Sequence, residues 1–374
     1  MPAATAPAAR PKTHKKHLPP LEEAHELYKD PARQAELAGL RYLTDAQPGL
    51  TRKPTRNGKF AYYTAQGEKI TDQKTLARIQ SFVIPPAWTE VWISPSPNAH
   101  LQVTGRDAKG RKQYLYHPAW DQARSLTKFS WLRAFGEKLA ELRAHIHRDL
   151  ARPQLDKQKV LALVLTLMDK SFIRVGNKEY AAKNKTYGLT TLRDKHVQVT
   201  GADVRFAFVG KKGVAHDLTI HDRKLARLVQ KCKEIPGQHL FQYYTPDGQR
   251  QELESGDVNE YLQQVTGLKL SAKDFRTWGG TVKMVECLER VIDEEPDFPK
   301  PKTLKRALRE VAHDLGNTPS VCSKYYIHPQ VTELFNSDKL IDYLRRHDPD
   351  PTENDLLTPV EHMVLDMLAE LEGN

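Results

Sequence analysis

The hydrophobic period of this chain changes near Pro118-Ala119-Trp120, and that change limits the folds open to it. Before it, apolar side chains tend to alternate with polar ones, the period of a half-buried strand. After it, they recur three and four residues apart, the period of a helix packed on one face. A chain of 374 residues is long enough for one large or two modest domains. The expected class is therefore α+β: a small antiparallel β-sheet domain over 40–120, then a larger, mainly helical domain over 121–374 that contains a small β-meander. The linker between them is expected near residues 118–128.

In the first part, GKFAYYT turned by Ala65-Gln66-Gly67 into EKIT reads as a hairpin. Residues 75–81 suit a short helix that must stop before Ile84-Pro85-Pro86. TEVWISPSP, AHLQVTGRD and KQYLYH continue the strand pattern. In KQYLYH, Gln113, Leu115 and His117 fall on one face, and Tyr114 and Tyr116 on the other. Residues 1–19 carry Ala, Pro and Lys but no acid, and 1–39 together are read as a flexible basic tail and lead-in.

In the second part, LRAFGEKLAELRAHIHRDL is helical. A stronger helix over 157–173 places Val160, Leu161, Val164, Leu167 and Met168 on one face. Over 195–221 the period returns to two, with glycine turns and with Lys211 and Lys212 at a hairpin tip. Helices are expected again over 223–233, 257–264, 281–293 and 302–315. A last one carries Val360, Met363, Val364, Met367, Leu368 and Leu371.

The 57 Lys and Arg against 47 Asp and Glu give a net charge of +10, an excess that suits a polyanionic partner and equally a plain basic protein. Cys232, Cys287 and Cys322 are far apart, which argues against a disulfide framework or a thiol-rich metal site and suits a reducing cytoplasm. No apolar run reaches the length of a membrane span, and no leader-like apolar stretch opens the chain. There is no GxxxxGK[ST], no GxGxxG after a strand, no HExxH and no clustered carboxylates for two-metal chemistry. No metal and no cofactor are expected. A basic protein of this kind that acts on a phosphodiester would need its own cations.

GNTPSVCSKYYIHP, residues 316–329, sets two tyrosines after Lys324. A phenol can attack phosphorus when cations withdraw charge from the phosphate. Five stretches, in order, resemble the small, poxvirus-like bacterial branch of type IB topoisomerases. They are GRDAKGRKQYLYH, RVGNKEYAAKNKTYGLTTL, FVGKKGVAHDL, KDFRTWGGT and GNTPSVCSKYYIHP, and the resemblance covers roughly residues 40–335. It implies the catalytic fold shared with tyrosine recombinases, and a monomer that closes as a clamp on supercoiled duplex DNA at the nucleoid. Binding should weaken strongly with salt.

The resemblance also implies roles. Tyr326 would form a 3′-phosphotyrosyl bond, Arg174 and Arg276 would grip the non-bridging oxygens, Lys211 would protonate the departing 5′ oxygen, and Asn317 would donate to a phosphate oxygen. Simpler readings stand beside these. Arg174 ends an apolar helix and could serve its carbonyls, Arg276 could be a surface ion pair, and Asn317 after Gly316 could be a cap. Lys212 rivals Lys211, and Tyr325 rivals Tyr326. Many relatives carry histidine where Asn317 stands, and an amide donates a hydrogen bond but does not titrate near neutrality. Tyrosine recombinases carry histidine where Lys273 stands, which favours topoisomerase over recombinase. A non-catalytic basic DNA-binding protein is the rival from another class.

The resemblance places GRDAKGRKQYLYH against the major groove. Gln113 suits adenine, and Arg111 suits guanine or phosphate. Tyr114 and Tyr116 face the other way, and Lys109 and Tyr180 are further DNA-contact candidates. His117 and His328, each before proline, read as packing or turn residues.

Overall fold

The computed structural model of the chain describes residues 30–295, 299–346 and 356–373. The basic run over residues 1–19 lies outside these. The chain divides into two compact units, one ending at Trp131 and the other running from Leu132 to Gly373.

The first unit contains α1 (Pro31–Leu37), β1 (Leu50–Pro54), β2 (Phe60–Tyr63), α2 (Gln73–Ser81), β3 (Thr89–Ile93), β4 (Leu101–Arg106), β5 (Lys112–Tyr116) and the first turns of α3 (Pro118–Leu150). Its strands form one antiparallel sheet in the order β2-β1-β3-β4-β5. Leu50, Ile79, Val91, Ile93 and Val103 make its core, with Tyr62, Trp88 and Leu115 packed against them. Arg52 secures the proline-rich turn before β3 by donating to the carbonyls of Ile84 (3.3 Å), Pro85 (3.1 Å) and Trp88 (2.7 Å).

The expected hairpin forms but is short: EKIT folds back on β2 through the Tyr63–Lys69 bridge and the Ile70 amide, which donates to the Tyr62 carbonyl (2.9 Å), while β2 pairs along its length with β1, from Thr51↔Tyr63 to Pro54↔Phe60. Two other expectations are corrected here. The lead-in is helical over α1: the Asp30 carboxylate caps the Ala32 and Arg33 amides, and Ala35 is buried with Leu40 and Trp120. Residues 118–128 lie within α3 and form no loop, because His117 Nδ1 accepts the Ala119 amide and starts the helix at Pro118.

The second unit continues α3 and adds α4 (Lys157–Ser171), α5 (Lys178–Asn184), a sheet of β6 (Val197–Thr200), β7 (Asp203–Val209) and β8 (Ala215–His221), then α6 (Arg223–Lys233). A hairpin of β9 (Gln242–Tyr244) and β10 (Arg250–Glu252) follows. Next come α7 (Ser255–Thr266), α8 (Ala272–Glu294), α9 (Lys300–Asp314), α10 (Pro319–Tyr325), α11 (Pro329–Asn336), α12 (Lys339–Arg346) and α13 (Pro359–Gly373). Residues 160–165 of α4 are buried on every side, so this helix is central and not half-exposed as a one-faced pattern implies. Helix α8 starts nine residues before the expected 281, at a capping box in which Asp274 accepts from the Ser271 amide (2.7 Å) and hydroxyl (2.9 Å).

Helices α3, α4, α8 and α13 meet at one guanidinium. Arg143 donates to Asp169 (2.9 and 3.2 Å), to Glu361 (2.7 and 2.8 Å) and to the Leu356 carbonyl (2.7 Å), while Trp278 Nε1 donates to Glu361 (3.0 Å). Arg143→Ala strands the buried Glu361 and the half-buried Asp169 without their shared cation. It is expected to cost about 3 kcal/mol, read as a lower urea midpoint at unchanged slope.

Candidate active site and nucleic-acid face

Helix α4 ends because Phe172 turns into the left-handed region (φ 54°), and its amide bonds back to the Met168 carbonyl (2.9 Å). The chain then runs extended through Arg174, whose carbonyl accepts the Leu189 amide (2.9 Å). Arg174 is thus beyond the helix rather than serving its last carbonyls. Its Nη2 donates to Asn317 Oδ1 at 2.8 Å.

Asn317 follows a Schellman motif at the end of α9. Gly316 (φ 56°) donates to the His313 carbonyl (2.9 Å) and Asn317 to that of Ala312 (2.8 Å). The cap reading is therefore right for the backbone, and the side chain is left for other work. With Oδ1 occupied by Arg174, Nδ2 is the remaining donor. It is buried beside the Cys322 thiol and has no oxygen or nitrogen acceptor among the described residues.

Arg276 lies on α8 and is 3% exposed, which excludes a surface ion pair. Its Nη1 donates to the Phe172 carbonyl and its Nη2 to that of Leu315 (2.7 Å), so one guanidinium ties the Arg174 segment to the Asn317 turn. Its Nε is buried without a hydrogen-bond partner. Burial first, and the charge of Arg174 second, draw its pKa down to about 10.

Tyr326 closes α10, its amide bonded to the Cys322 carbonyl (2.9 Å) and its ring 5.1 Å from the Arg276 guanidinium carbon. It approaches α8 closely because Gly280 has no side chain: a Cβ there would stand 2.7 Å from the Tyr326 carbonyl oxygen, and one on Gly279 would stand 2.0 Å from the Phe172 ring. Burial pushes the Tyr326 phenol up. The charges of Arg276 and Arg174, with the nearby Lys273, more than offset this and hold it below an ordinary phenol. Tyr325 is 45% exposed, with the Lys324 ammonium 5.3 Å from its ring centre.

Arg174, Lys211, Asn317 and Tyr326 line one cleft of about 530 Å³, and Arg276 stands behind the Tyr326 ring. Lys211 is exposed on the turn between β7 and β8, and Lys212 lines the same cleft from the left-handed region (φ 65°). Among the described residues, no group of three His, Cys, Asp or Glu is placed to hold a metal ion. None of the described helices is long and apolar enough to cross a membrane.

On the first unit, Lys109 sits in the turn between β4 and β5. Asp107 in that turn holds two of the candidate readers: Arg111 Nε donates to it at 2.8 Å and Gln113 Nε2 at 2.9 Å. Leu115 packs into the sheet core, while Tyr114, 46% exposed, stacks on Tyr116 with ring centres 6.0 Å apart. Tyr180 is exposed on α5, in the second unit with the cleft. His117 and His328 both cap helix starts, His328 Nδ1 accepting the Gln330 amide at 3.1 Å.

A family model described as the eukaryotic DNA topoisomerase I catalytic core matches residues 117–346, and one described as the bacterial DNA topoisomerase IB N-terminal domain matches residues 59–107. A DNA topoisomerase 1B of Acanthamoeba polyphaga mimivirus is 31% identical over 331 residues, 86% of this chain and 97% of its own. The chain belongs to the type IB DNA topoisomerase family. The DNA topoisomerase 1B of vaccinia virus (strain Copenhagen) is 25% identical over 299 residues, 78% of this chain and 88% of its own. That of rabbit fibroma virus (strain Kasza), a DNA topoisomerase 1, is 30% identical over 257 residues, 66% and 76% of the two chains.

Two residues of this type IB topoisomerase escape a reading of its sequence. Asp107 is one aspartate among many until the β4–β5 turn closes over it. His216 falls inside the FVGKKGVAHDL stretch but takes no role from it, yet it lines the cleft with Arg174 and Tyr326. Burial, then the charges of Arg174 and Arg276, hold its imidazole below the usual histidine range.

Proposed function

We propose that this chain relaxes supercoiled duplex DNA by cutting one strand with Tyr326 and resealing it, without a metal or a nucleotide. The reading is carried by one observation: a phenol made more acidic by two guanidiniums lies in a cleft with an exposed lysine and an amide whose nitrogen has no strong acceptor.

The Tyr326 oxygen attacks phosphorus and its proton passes to water. The P–O5′ bond breaks, Lys211 supplies the proton for the departing 5′-hydroxyl, and a 3′-phosphotyrosyl linkage remains. Arg174, Arg276 and Asn317 Nδ2 stabilise the charge that builds on the non-bridging oxygens. One phosphodiester is exchanged for another, so the reverse attack by the 5′-hydroxyl needs no added energy. The cut strand rotates between the two steps.

The first unit supplies contacts to the duplex through Lys109, Arg111, Gln113, Tyr114 and Tyr116, and Tyr180 adds one from the second. Arg111 and Gln113 are presented together because Asp107 holds them, and a guanidinium with five donors keeps some for DNA. The two units act as a clamp on one duplex, in a monomer, at the nucleoid.

Supercoiled plasmid incubated with the protein in EDTA without ATP is expected to run as a ladder of relaxed topoisomers. Folded protein that binds the plasmid but leaves it supercoiled would identify a DNA-binding protein without this chemistry. Strand exchange between two duplexes would identify a recombinase.

A further inference from the structure

One residue that lines the cleft, His216, has no role in the chemistry above. His216 points from β8 into the gap between two turns, the one that carries Lys211 and the one that carries Asn317. Its ring is stacked on Phe208 of β7, with centres 4.8 Å apart and planes 12° from parallel. Both neighbouring turns leave room for it by using glycine. A Cβ on Gly210, the residue before Lys211, would lie 2.7 Å from the imidazole Cδ2 and Nε2. A Cβ on Gly316, the residue before Asn317, would lie 2.6 Å from its Cε1 and 3.1 Å from its Nε2.

Real Cβ atoms essentially never come as close as 2.6 or 2.7 Å to another group, so neither turn could carry a side chain here without displacing the ring. Gly210 is informative because its φ of −93° is open to any residue. Its lack of a side chain therefore answers to the space the ring occupies and not to the backbone. Phe208 fixes the ring plane from one side, and the two glycine backbones fix it at its edge.

We propose that His216 is a positioning residue for strand cleavage, a rigid planar spacer that sets the Lys211 turn against the Asn317 turn. The inference rests on the roles proposed above for those two residues. It gives His216 no proton to transfer. Lys211 would have to reach the leaving oxygen while Asn317 reaches a non-bridging oxygen of the same phosphate, and the distance between the two donors is set through the ring. Displacement of a reacting group by about 1 Å can cost about 10²-fold in rate.

The test is single-turnover cleavage of a nicked DNA substrate, with DNA affinity and thermal unfolding measured on the same proteins. His216→Ala is expected to slow cleavage about 10²-fold at unchanged affinity. His216→Phe, which keeps a planar ring but no ring nitrogen, should recover most of that loss, while His216→Asn should not. Gly210→Ala should slow cleavage by forcing the ring aside, and Gly210→Ala/His216→Ala should be no slower than His216→Ala alone, since the two act through one contact. Cleavage by His216→Ala at the wild-type rate overturns the proposal, as does equal recovery by Phe and Asn. If His216→Ala does not fold, Gly210→Ala carries the test, and wild-type cleavage by it is fatal to the idea. Lys211→Ala and Asn317→Ala are the controls. If both cleave normally, the reading of the cleft itself is wrong. If they are slow and His216→Ala is not, only the spacer role fails.

Discussion

Tyr326→Phe is expected to abolish both plasmid relaxation and the covalent protein–DNA adduct, while binding to duplex DNA and the unfolding transition stay close to wild type. Loss of a nucleophile lowers turnover on the order of 10⁶-fold in enzymes that depend on one, which here means no detectable product. The substitution deletes a single oxygen. The ring that packs beside Arg276 and against the glycine surface of α8 remains, so little packing is lost. Tyr325→Phe is the matched control: its ring is half in solvent, and its variant should relax plasmid normally. The adduct is read on a denaturing gel with labelled nicked DNA. An adduct that survives in Tyr326→Phe and disappears in Tyr325→Phe would move the nucleophile by one residue.

Arg276→Ala is the second large effect, and it should appear in two separate measurements. Removing a charged donor from a transition state costs about 10²–10³-fold in rate. Removing this one also leaves the Phe172 and Leu315 carbonyls without their donor, at about 1–3 kcal/mol for a buried group left unpaired. Arg276→Lys keeps the charge but not the fork, and is expected to fall between alanine and wild type in both measurements.

The pH dependence separates chemistry from scaffold. Among the charges that offset the burial of the Tyr326 phenol, that of Arg276 is foremost. In the wild type, cleavage should rise with pH as the phenol ionises, below the range of an ordinary tyrosine. Arg276 itself, drawn down to about 10, stays charged across neutral pH. In Arg276→Ala the burial remains and the main offset is gone, so the phenol titrates higher and the rising limb moves to more alkaline pH. A limb that stays in place while the rate falls would show that Arg276 acts only as scaffold.

Much of this was legible in the chain before folding, because periodicity reports the local backbone. The alternation around residues 195–221 and its glycines located the turn that carries Lys211. The spacing of Val160, Leu161, Val164, Leu167 and Met168 located a helix. Where local signals conflict with long-range contact, the reading failed. Gly279 and Gly280 weaken a helical pattern, so periodicity alone starts the helix at 281, beyond Arg276. Yet those glycines are there because Phe172 and Tyr326 pass too close for a side chain. Leu50–Pro54 looks polar and irregular, and it is a strand because β2 and β3 pair on either side of it. The run of proline, alanine and tryptophan at 118–120 marks the change of period, and the contact that makes it a helix start is the His117 ring accepting the Ala119 amide.

By itself the sequence determined the class of fold, the change from strand to helix near residue 118, and five candidate residues of four types, two arginines with a lysine, an asparagine and a tyrosine. Only the tertiary structure decided how they work together. It placed the Tyr326 ring beside Arg276 and left Tyr325 half exposed, it turned the Asn317 amide by giving its oxygen to Arg174, and it set His216 between two glycines 106 residues apart in sequence. The reason is physical. A local pattern records which way each side chain leaves its own backbone, whereas a phenol's acidity and an amide's free hydrogens depend on charges brought up from the far end of the chain.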